Sequence, residues 1–548
     1  MSRSHRRLRP AFLIVSVLLL GVVASAPRPA RAQMMRGAAR TGAFMEAKQC
    51  ALCHSGSPGA LAMTDANGND VSPFLTWSAT TMANAFKDPY WRAQMSREIE
   101  KEPGRKEAVE SLCLRCHAPA PSHQARLDGA PMPSFEALES NPLARDGVSC
   151  TVCHQTQPAN LGKAESFSGR LDIRNEQKLF GPFKDPVAMP MRMHTGYTPT
   201  LGAHISSSAL CGSCHTLYTQ AEGARGPFLE QAPYLEWRNS IYSDEPGRTA
   251  SSRSCQECHM PDAGAMRIAR NPMGTDFNIA PRENVRTHVF VGGNAFMLDL
   301  LRENAAELGV TATPEALRQA AAATRAQLAH RTARIGIANL RRTPAGIEFD
   351  VEVENLSGHK LPSGYPSRRA WLQVDVRAGR DTVFSSGALD EKGSLRGVAD
   401  ELGEPHRDRI DSASQVAIYE MVAVDGRGKT TTSLAEMVAH RKDTRLLPLG
   451  WRPDGPHAGE TRPVGTDGDR DFVSGRDTVT YSLTLPGSAG AALTVVARLQ
   501  YQAIPAAWAK ALRTSTTGAS RLFLRMYDAA PKAPETLALT VATVDPAK

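Results

Sequence analysis

Residues 211–215 read Cys211-Gly-Ser-Cys214-His215, and residues 255–259 repeat the pattern as Cys255-Gln-Glu-Cys258-His259. Toward the N-terminus it recurs as Cys150-Thr-Val-Cys153-His154, Cys113-Leu-Arg-Cys116-His117 and Cys50-Ala-Leu-Cys53-His54. The chain has 548 residues and 10 cysteines, and these five copies use every one of them. No thiol is left for a disulfide framework, a catalytic nucleophile or an iron–sulfur cluster. The copies begin at residues 50, 113, 150, 211 and 255, without a fixed period, which excludes a regular structural repeat.

The spacing has a chemical reason. Two thiols three residues apart on a helical turn can form thioethers to the two vinyl groups of one haem, and the histidine that follows faces the iron as its proximal ligand. Zinc knuckles would have to draw ligands from pairs of motifs, and five does not pair. A thiol–disulfide exchange site has no need of histidine after every second cysteine. The ten cysteines therefore read as attachment points for five covalently bound c-type haems. His54, His117, His154, His215 and His259 read as the proximal ligands. Five haems held between Cys50 and about Met266 leave little room for an apolar core of side chains. The porphyrins are expected to be the core, closely packed, with short helices at the motifs and irregular connections between them.

The second axial position decides whether an iron carries electrons or binds a substrate. Nine histidines lie outside the motifs and the N-terminal leader. Five are candidate distal ligands: His194 and His204 on a loop before the fourth motif, His288 after the fifth, His123 just past the second, and His359 far downstream. His359, in NLSGHKLPSGYPSRRAWL, would fasten the C-terminal part of the chain to the haem segment. His123 is too near its own motif to reach over that haem, so it would serve a neighbour. Met82 competes as a ligand but stands on a helical pattern where methionine usually fills a core. No histidine is an obvious cap for the first haem, at His54, and Arg92 is the charged residue that could act there.

The N-terminus pairs a basic cluster (Arg3, Arg6, Arg7, Arg9) with an apolar run from Ala11 to Ala26 and small residues at Ala30 and Ala32. This is the signature of a signal peptide over residues 1–32, which implies export to the periplasm or cell surface. The run is shorter than the ~20 residues of a spanning helix. The whole chain carries a formal +8. The leader holds six arginines and no acid, so the mature chain stands near +2 and haem propionates would make it acidic. With no basic stripe interleaved with aromatics, nucleic acid is excluded as a partner.

Residues 33–292 form the expected pentahaem domain, and 293–332 a helical connector with helices at 294–308 and 313–332. From 333 to 548 the pattern changes to alternation such as Phe349-Asp350-Val351-Glu352-Val353. Strands are expected at 335–340, 347–354, 370–376, 383–386, 416–424, 478–485, 493–502 and 537–544, assembled as an antiparallel β-sandwich. Long loops are expected at 387–412 and 440–475. Asp467, Asp469 and Asp471 alternate as in a calcium loop, but the glycine and glutamate such a loop needs are missing, and the stretch reads as a solvated turn. The fold class is thus a haem-cored, mostly helical and irregular domain followed by an all-β one.

With SLCLRCHAP, GVSCTVCH, ALCGSCH, SCQECHMP and RTHVFVGGN in view, residues 45–295 resemble the cytochrome c-554-like group of periplasmic multihaem cytochromes c. The phrase NLSGHKLPSGYPSRRAWL is similar to an element that accompanies such haem domains. The resemblance implies electron transfer through mostly bis-histidine haems, with His288 and His359 where distal ligands are expected. It transfers no activity to the β-domain. The Cys-x-x-Cys-Lys haem of ammonia-forming nitrite reductases is absent, and so is a Gly-x-Ser-x-Gly hydrolase elbow. The reading is an electron carrier between redox partners, a redox protein or the quinone pool, with a membrane-associated complex as one setting. The alternative is an oxidoreductase acting on a small nitrogen or sulfur compound at one five-coordinate haem.

Overall fold

The computed structural model describes residues 1–2, 42–486 and 490–546. The expected leader lies outside the described residues. The described residues from 42 onward form one compact unit. Among the described residues no helix is long and apolar enough to cross a membrane.

The first part of this unit is built from short helices, irregular chain and two small sheets. Strands β1 (Lys178–Gly181) and β2 (Thr198–Leu201) pair in parallel, and β3 (Leu217–Thr219) pairs with β4 (Phe228–Gln231) antiparallel. Among the described residues before 120, the longest helix is Pro89–Lys101. Pro89 opens it, and the Asp88 carboxylate accepts from the Tyr90 and Trp91 N–H groups at 2.8 and 3.1 Å, which satisfies its first turn.

Both connector helices form, the first as two pieces. Ala295–Glu303 and Ala305–Leu308 meet at Asn304. Pro314–Arg331 starts on a Thr313 cap, whose hydroxyl accepts from Ala316 N at 3.1 Å. The strands then follow the alternation: β5 (Ala333–Thr343), β6 (Gly346–Asn355), β7 (Arg369–Ala378), β8 (Asp381–Ser386), β9 (Arg409–Ile410), β10 (Ile418–Val424), β11 (Thr430–Thr431), β12 (Ala439–Asp443), β13 (Arg476–Thr484), β14 (Leu493–Gln502) and β15 (Glu535–Val544). One sheet runs β11-β10-β7-β14-β15, with β12 on β10 and β8 on β7; the other runs β5-β6-β13-β9. The two share one core. Ile347, Phe349, Val351 and Val353 of β6, Leu372, Val374 and Val376 of β7, and Val495, Ala497 and Leu499 of β14 are all buried in it. The period of two that marks these strands in the sequence is therefore the period of burial. Phe349 and Tyr481 are directly opposed across β6 and β13, their rings 5.1 Å apart and within 3° of parallel.

Three features depart from the expected sandwich. The β9–β13 pair is parallel. β9 arrives from a long irregular segment rather than a hairpin, so nothing local fixes its direction. The expected loop at 440–475 opens with β12, whose polar sequence hides a strand that buries Lys442 through an ion pair to Glu420 at 2.8 Å. Two helices, Ala506–Leu512 and Gly518–Ala529, interrupt the all-β stretch. The second buries Phe523, Met526 and Tyr527, and Tyr90 of Pro89–Lys101 packs against Phe523 at 5.0 Å. The core of the sandwich thus reaches into the motif-bearing part of the chain, including Ala79, Tyr90 and Ala93.

Asp477 sits in this core, 1% exposed, and accepts from the Tyr419 hydroxyl at 2.7 Å. Burial, then the neighbouring Asp469 and Asp471, push its carboxyl up to about 7, although the Tyr419 bond opposes this. A raised carboxyl favours folding only while protonated, so between about pH 4 and pH 7 stability falls as pH rises. Asp477→Asn is expected to be more stable than the parent at pH 8 by on the order of a few kcal/mol, and equal to it at pH 4. Thermal unfolding of both proteins across that range checks this; a pH-independent difference would refute it.

Candidate functional site

Three Cys-x-x-Cys-His copies end the helices Ala47–His54, Lys106–His117 and Cys255–His259; the third begins at Cys150–Cys153, with His154 just past it, and the fourth starts in Ser208–Gly212, with Cys214 and His215 beyond its end. The helix Cys255–His259 is fixed by a reciprocal cap: Ser254 Oγ accepts from Glu257 N at 3.3 Å, and Glu257 Oε2 accepts from Ser254 N at 2.7 Å. All ten cysteines and all five histidines line a single connected cavity of about 1660 Å³.

Thiols of different motifs are neighbours. Cys50 is within hydrogen-bonding contact of Cys150, Cys116 of Cys214, and Cys211 of Cys255. The first motif is thus coupled to the third, the second to the fourth, and the fourth to the fifth. Burial pushes the Cys153 thiol up to about 11 and Cys113 higher still. The thiols are not all shifted that way: a neighbouring thiol lowers Cys50, Cys116 and Cys255. Among the described residues, no motif cysteine belongs to a group of three His, Cys, Asp or Glu at mutual metal-ligand distance. The groups of that kind are His406, Asp469 and Asp477, and Asp408, Asp469 and Asp471, in the β-sandwich. The alternating Asp469 and Asp471 are therefore drawn into polar clusters, with the Asp469 carboxylate 2.6 Å from His406 Nε2.

Four of the five motif histidines are held by one device. Nδ1 donates to a backbone carbonyl: His54 to Ile268 at 3.0 Å, His117 to Ala85 at 2.9 Å, His154 to Phe180 at 2.6 Å and His259 to Val291 at 2.5 Å. That bond fixes the tautomer and leaves Nε2 with its lone pair for a metal. Desolvation keeps the rings neutral, lowering His117 and His215 to about 4 and the other three below their ordinary value.

The distal candidates fall in different places. The His288 ring faces His154 with centroids 6.4 Å apart and planes within 23°. His359 faces His259 at 6.2 Å and 13°. Two imidazoles bound trans on one iron, with metal–nitrogen bonds of about 2 Å, have ring centres about 6 Å apart. Both pairs thus leave room for one iron and no more. His123 is 4% exposed and lies outside the cavity lining; its Nε2 is buried without a hydrogen-bond partner. His194 is exposed on the helix Ala188–Thr195, at the cavity rim. His204 lies outside the cavity lining; its Nε2 is 2.9 Å from the Thr156 carbonyl and its ring packs edge-on to Phe180. Met82 lines the cavity from a turn rather than a helix. Arg92 pairs with Glu139 and lies over Phe135, and Phe135 also packs against Trp91, the residue stacked on the second motif's His117. The donor set fits haem: paired thiols, oriented neutral imidazoles, one-iron gaps, and a large cavity that the side chains do not fill.

Two further residues shape the site without a mark in the sequence. Trp91 lies flat on His117, with centroids 4.1 Å apart and planes within 4°. Glu236, buried, accepts from Lys360 N at 3.1 Å and so grips the residue next to His359. Neither belongs to a motif, and each reads as helix-core filler until the partners are known.

A solved structure similar to this chain is a penta-heme cytochrome c552 from Thermochromatium tepidum. The two are 16% identical, and the match covers 91% of this chain and 99% of that one with a TM-score of 0.51. The likeness is one of fold, that of a multihaem cytochrome c. No family model matches the chain, and no curated protein matches it.

Proposed function

We propose that the chain is a pentahaem c-type cytochrome that passes electrons between redox partners. Each c-type haem, when bound, supplies one-electron iron chemistry. Cys50 with Cys53, Cys113 with Cys116, Cys150 with Cys153, Cys211 with Cys214 and Cys255 with Cys258 hold one haem each, and His54, His117, His154, His215 and His259 present Nε2 to the irons. His288 completes the third site and His359 the fifth. The other residues exclude water and hold the imidazoles neutral and fixed, so little reorganises when an electron arrives. The observation that carries the reading is that all five motifs open onto one cavity, with two imidazole pairs spaced for one iron. The thiol contacts join the first motif to the third, and the second to the fourth and fifth; the third motif's Cys153 also interacts electrostatically with Cys211 and Cys214, which supports a link between the two groups.

In this reading the protein works in the periplasm or at the cell surface. It exchanges electrons with a redox protein or a quinone-linked complex, which can be membrane-associated. The second reading, an oxidoreductase for a small nitrogen or sulfur compound, is favoured by the first, second and fourth motifs. Among the described residues, two opposed imidazole pairs are present, and neither includes His54, His117 or His215.

Haem quantitation with electron paramagnetic resonance of the oxidised protein tests both. Five haems per chain, all low-spin, is the expected result; one high-spin haem that shifts with nitrite, hydroxylamine or sulfite selects the second reading. His288→Ala is expected to convert one haem per chain, the third, from low to high spin. An unchanged spectrum would remove His288 as a ligand.

A further inference from the structure

The stack of Trp91 on His117 has a continuation. The Trp91 ring is 5.9 Å from Phe86 and 6.0 Å from Phe135, which it meets near edge-on. Phe86 and Phe135 are 5.2 Å apart. Arg92 caps the row, its guanidinium carbon 4.8 Å over the Phe135 ring, and pairs with Glu139. Trp91 lines the haem-sized cavity, whereas Phe135 does not. Phe135 is nevertheless only half-buried, so its free face looks outward, among the exposed Glu136, Glu139 and Ser140. A row of aromatic rings therefore leads from a motif histidine to the surface.

Packing alone does not ask for this arrangement. A buried tryptophan ordinarily spends its N–H on a hydrogen bond to an oxygen. Here the indole nitrogen is buried beside the Cys113 sulfur, and the ring is spent on the imidazole instead. The Nδ1 bond to Ala85 fixes the His117 ring at one edge, and the flat stack fixes its plane. Electron tunnelling falls steeply with every gap between atoms, and the Trp91–His117 contact, at 4.1 Å between centroids, is the shortest ring-to-ring step of this row.

We infer that Trp91 is a positioning residue that fixes the plane of His117 and forms the bridge by which the second haem site exchanges electrons with the protein surface at Phe135. The inference rests on the haem-carrier reading. In the step, an external one-electron donor loses one electron and the ferric iron held by His117 gains it. No bond is made or broken, no proton moves, and Trp91 is neither oxidised nor reduced.

The test uses the full holoprotein. A ruthenium trisbipyridine photoreductant is attached at Ser140→Cys, beside Phe135, and in a second preparation at Asp454→Cys, an exposed site on the loop that bonds to Asn239. Haem reduction is followed after a flash. Trp91→Leu is expected to slow reduction from position 140 at least tenfold and to leave the rate from position 454 unchanged, while Trp91→Phe stays within about threefold of the parent. The paramagnetic resonance signal of one haem, the one held by His117, should shift in Trp91→Leu and return in Trp91→Phe. Equal slowing from both labels would mean that Trp91 only supports the fold, and no slowing from position 140 would mean that the route lies elsewhere; either overturns the inference. Should Trp91→Leu fail to mature, Phe135→Leu decides: slower reduction from position 140 alone is expected, and an unchanged rate overturns it. Absence of haem from the purified parent protein would instead fail the carrier reading, before any kinetic trace is taken.

Discussion

Made without haem attachment, the chain is expected to lose the folded state of its motif-bearing part. The cavity it would have to keep open is about 1660 Å³. An empty space in a protein core costs stability in proportion to its volume, and this one is roughly ten times the ~150 Å³ of a single engineered core cavity. Whole domains are stable by only about 5–15 kcal/mol. Water entering the cavity would lessen the cost but would meet walls such as Phe74, Trp77, Trp91, Trp237 and Phe290. The small clusters around the motifs cannot compensate: one contains Phe86, Leu114, Ala118, Leu138 and Ala144, another Ala43, Phe44, Ala120, Val152, Leu171 and Ile173. Expression in a compartment without the attachment machinery, or with all ten cysteines changed to serine, should abolish the near-ultraviolet circular dichroism of the cavity tryptophans. Amide exchange should lose protection over 42–292 while protection on β6, β7, β13 and β14 outlasts it. A haem-free chain with the parent's cooperative transition would sink both this account and the haem reading.

That asymmetry also explains what could be read from sequence. The β-strands were legible because their burial repeats every second residue, as in Ile347, Phe349, Val351 and Val353. The attachment sites were legible because their chemistry is local: two thiols and an imidazole within five residues. The distal ligands were legible only as a set of histidines. His288 and His359 are 134 and 100 residues from His154 and His259, and only the fold opposes the rings. His194 and His204 looked equivalent on one loop, yet one is exposed and the other turns Nε2 to the Thr156 carbonyl. Polar segments that are buried by pairing, such as β12 with Lys442 and Asp443, carry no apolar signal at all. Gly518–Ala529 was hidden for another reason: its buried Phe523, Met526 and Tyr527 are a helical stripe within a stretch otherwise read as strands.

Asp443→Asn is expected to destabilise the protein by about 3–5 kcal/mol and to loosen the fifth haem site, the largest effect of any single substitution away from a motif. Asp443 is 1% exposed, and its Oδ2 is 2.6 Å from Lys360 Nζ, itself 0% exposed. Arg445 Nε approaches Oδ1 at 2.7 Å, and the same guanidinium reaches Glu236 at 3.0 Å. Two cations and two anions therefore balance out of contact with water. Removing one charge leaves a cation unpaired, which costs far more than the pair contributes. Burial alone would raise the Asp443 carboxyl, but Arg445 and Lys360 hold it far below the ordinary range. Stability from such a group is complete above the unfolded value near pH 4 and is lost only as pH falls toward the folded one. The deficit of Asp443→Asn should accordingly be constant from pH 5 to pH 8 and shrink in acid. The functional consequence follows from the chain. Lys360 adjoins His359, whose Nδ1 is 2.8 Å from the Lys360 carbonyl and whose own carbonyl accepts from Asn355 Nδ2 at 2.9 Å. Freed from Asp443, Lys360 Nζ keeps its 3.3 Å bond to the Arg462 carbonyl and shares Glu236 with Arg445, and the His359 ring loses its fixed approach to His259. Chemical denaturation from pH 4 to pH 8, with paramagnetic resonance of the oxidised protein, should show the stability loss together with partial conversion of one haem to high spin. A stable variant would mean that Lys360 finds another partner or sheds its proton. A destabilised variant whose haems all stay low-spin would show that the carbonyl bonds of Asn355 and Ser357 alone are enough to present His359.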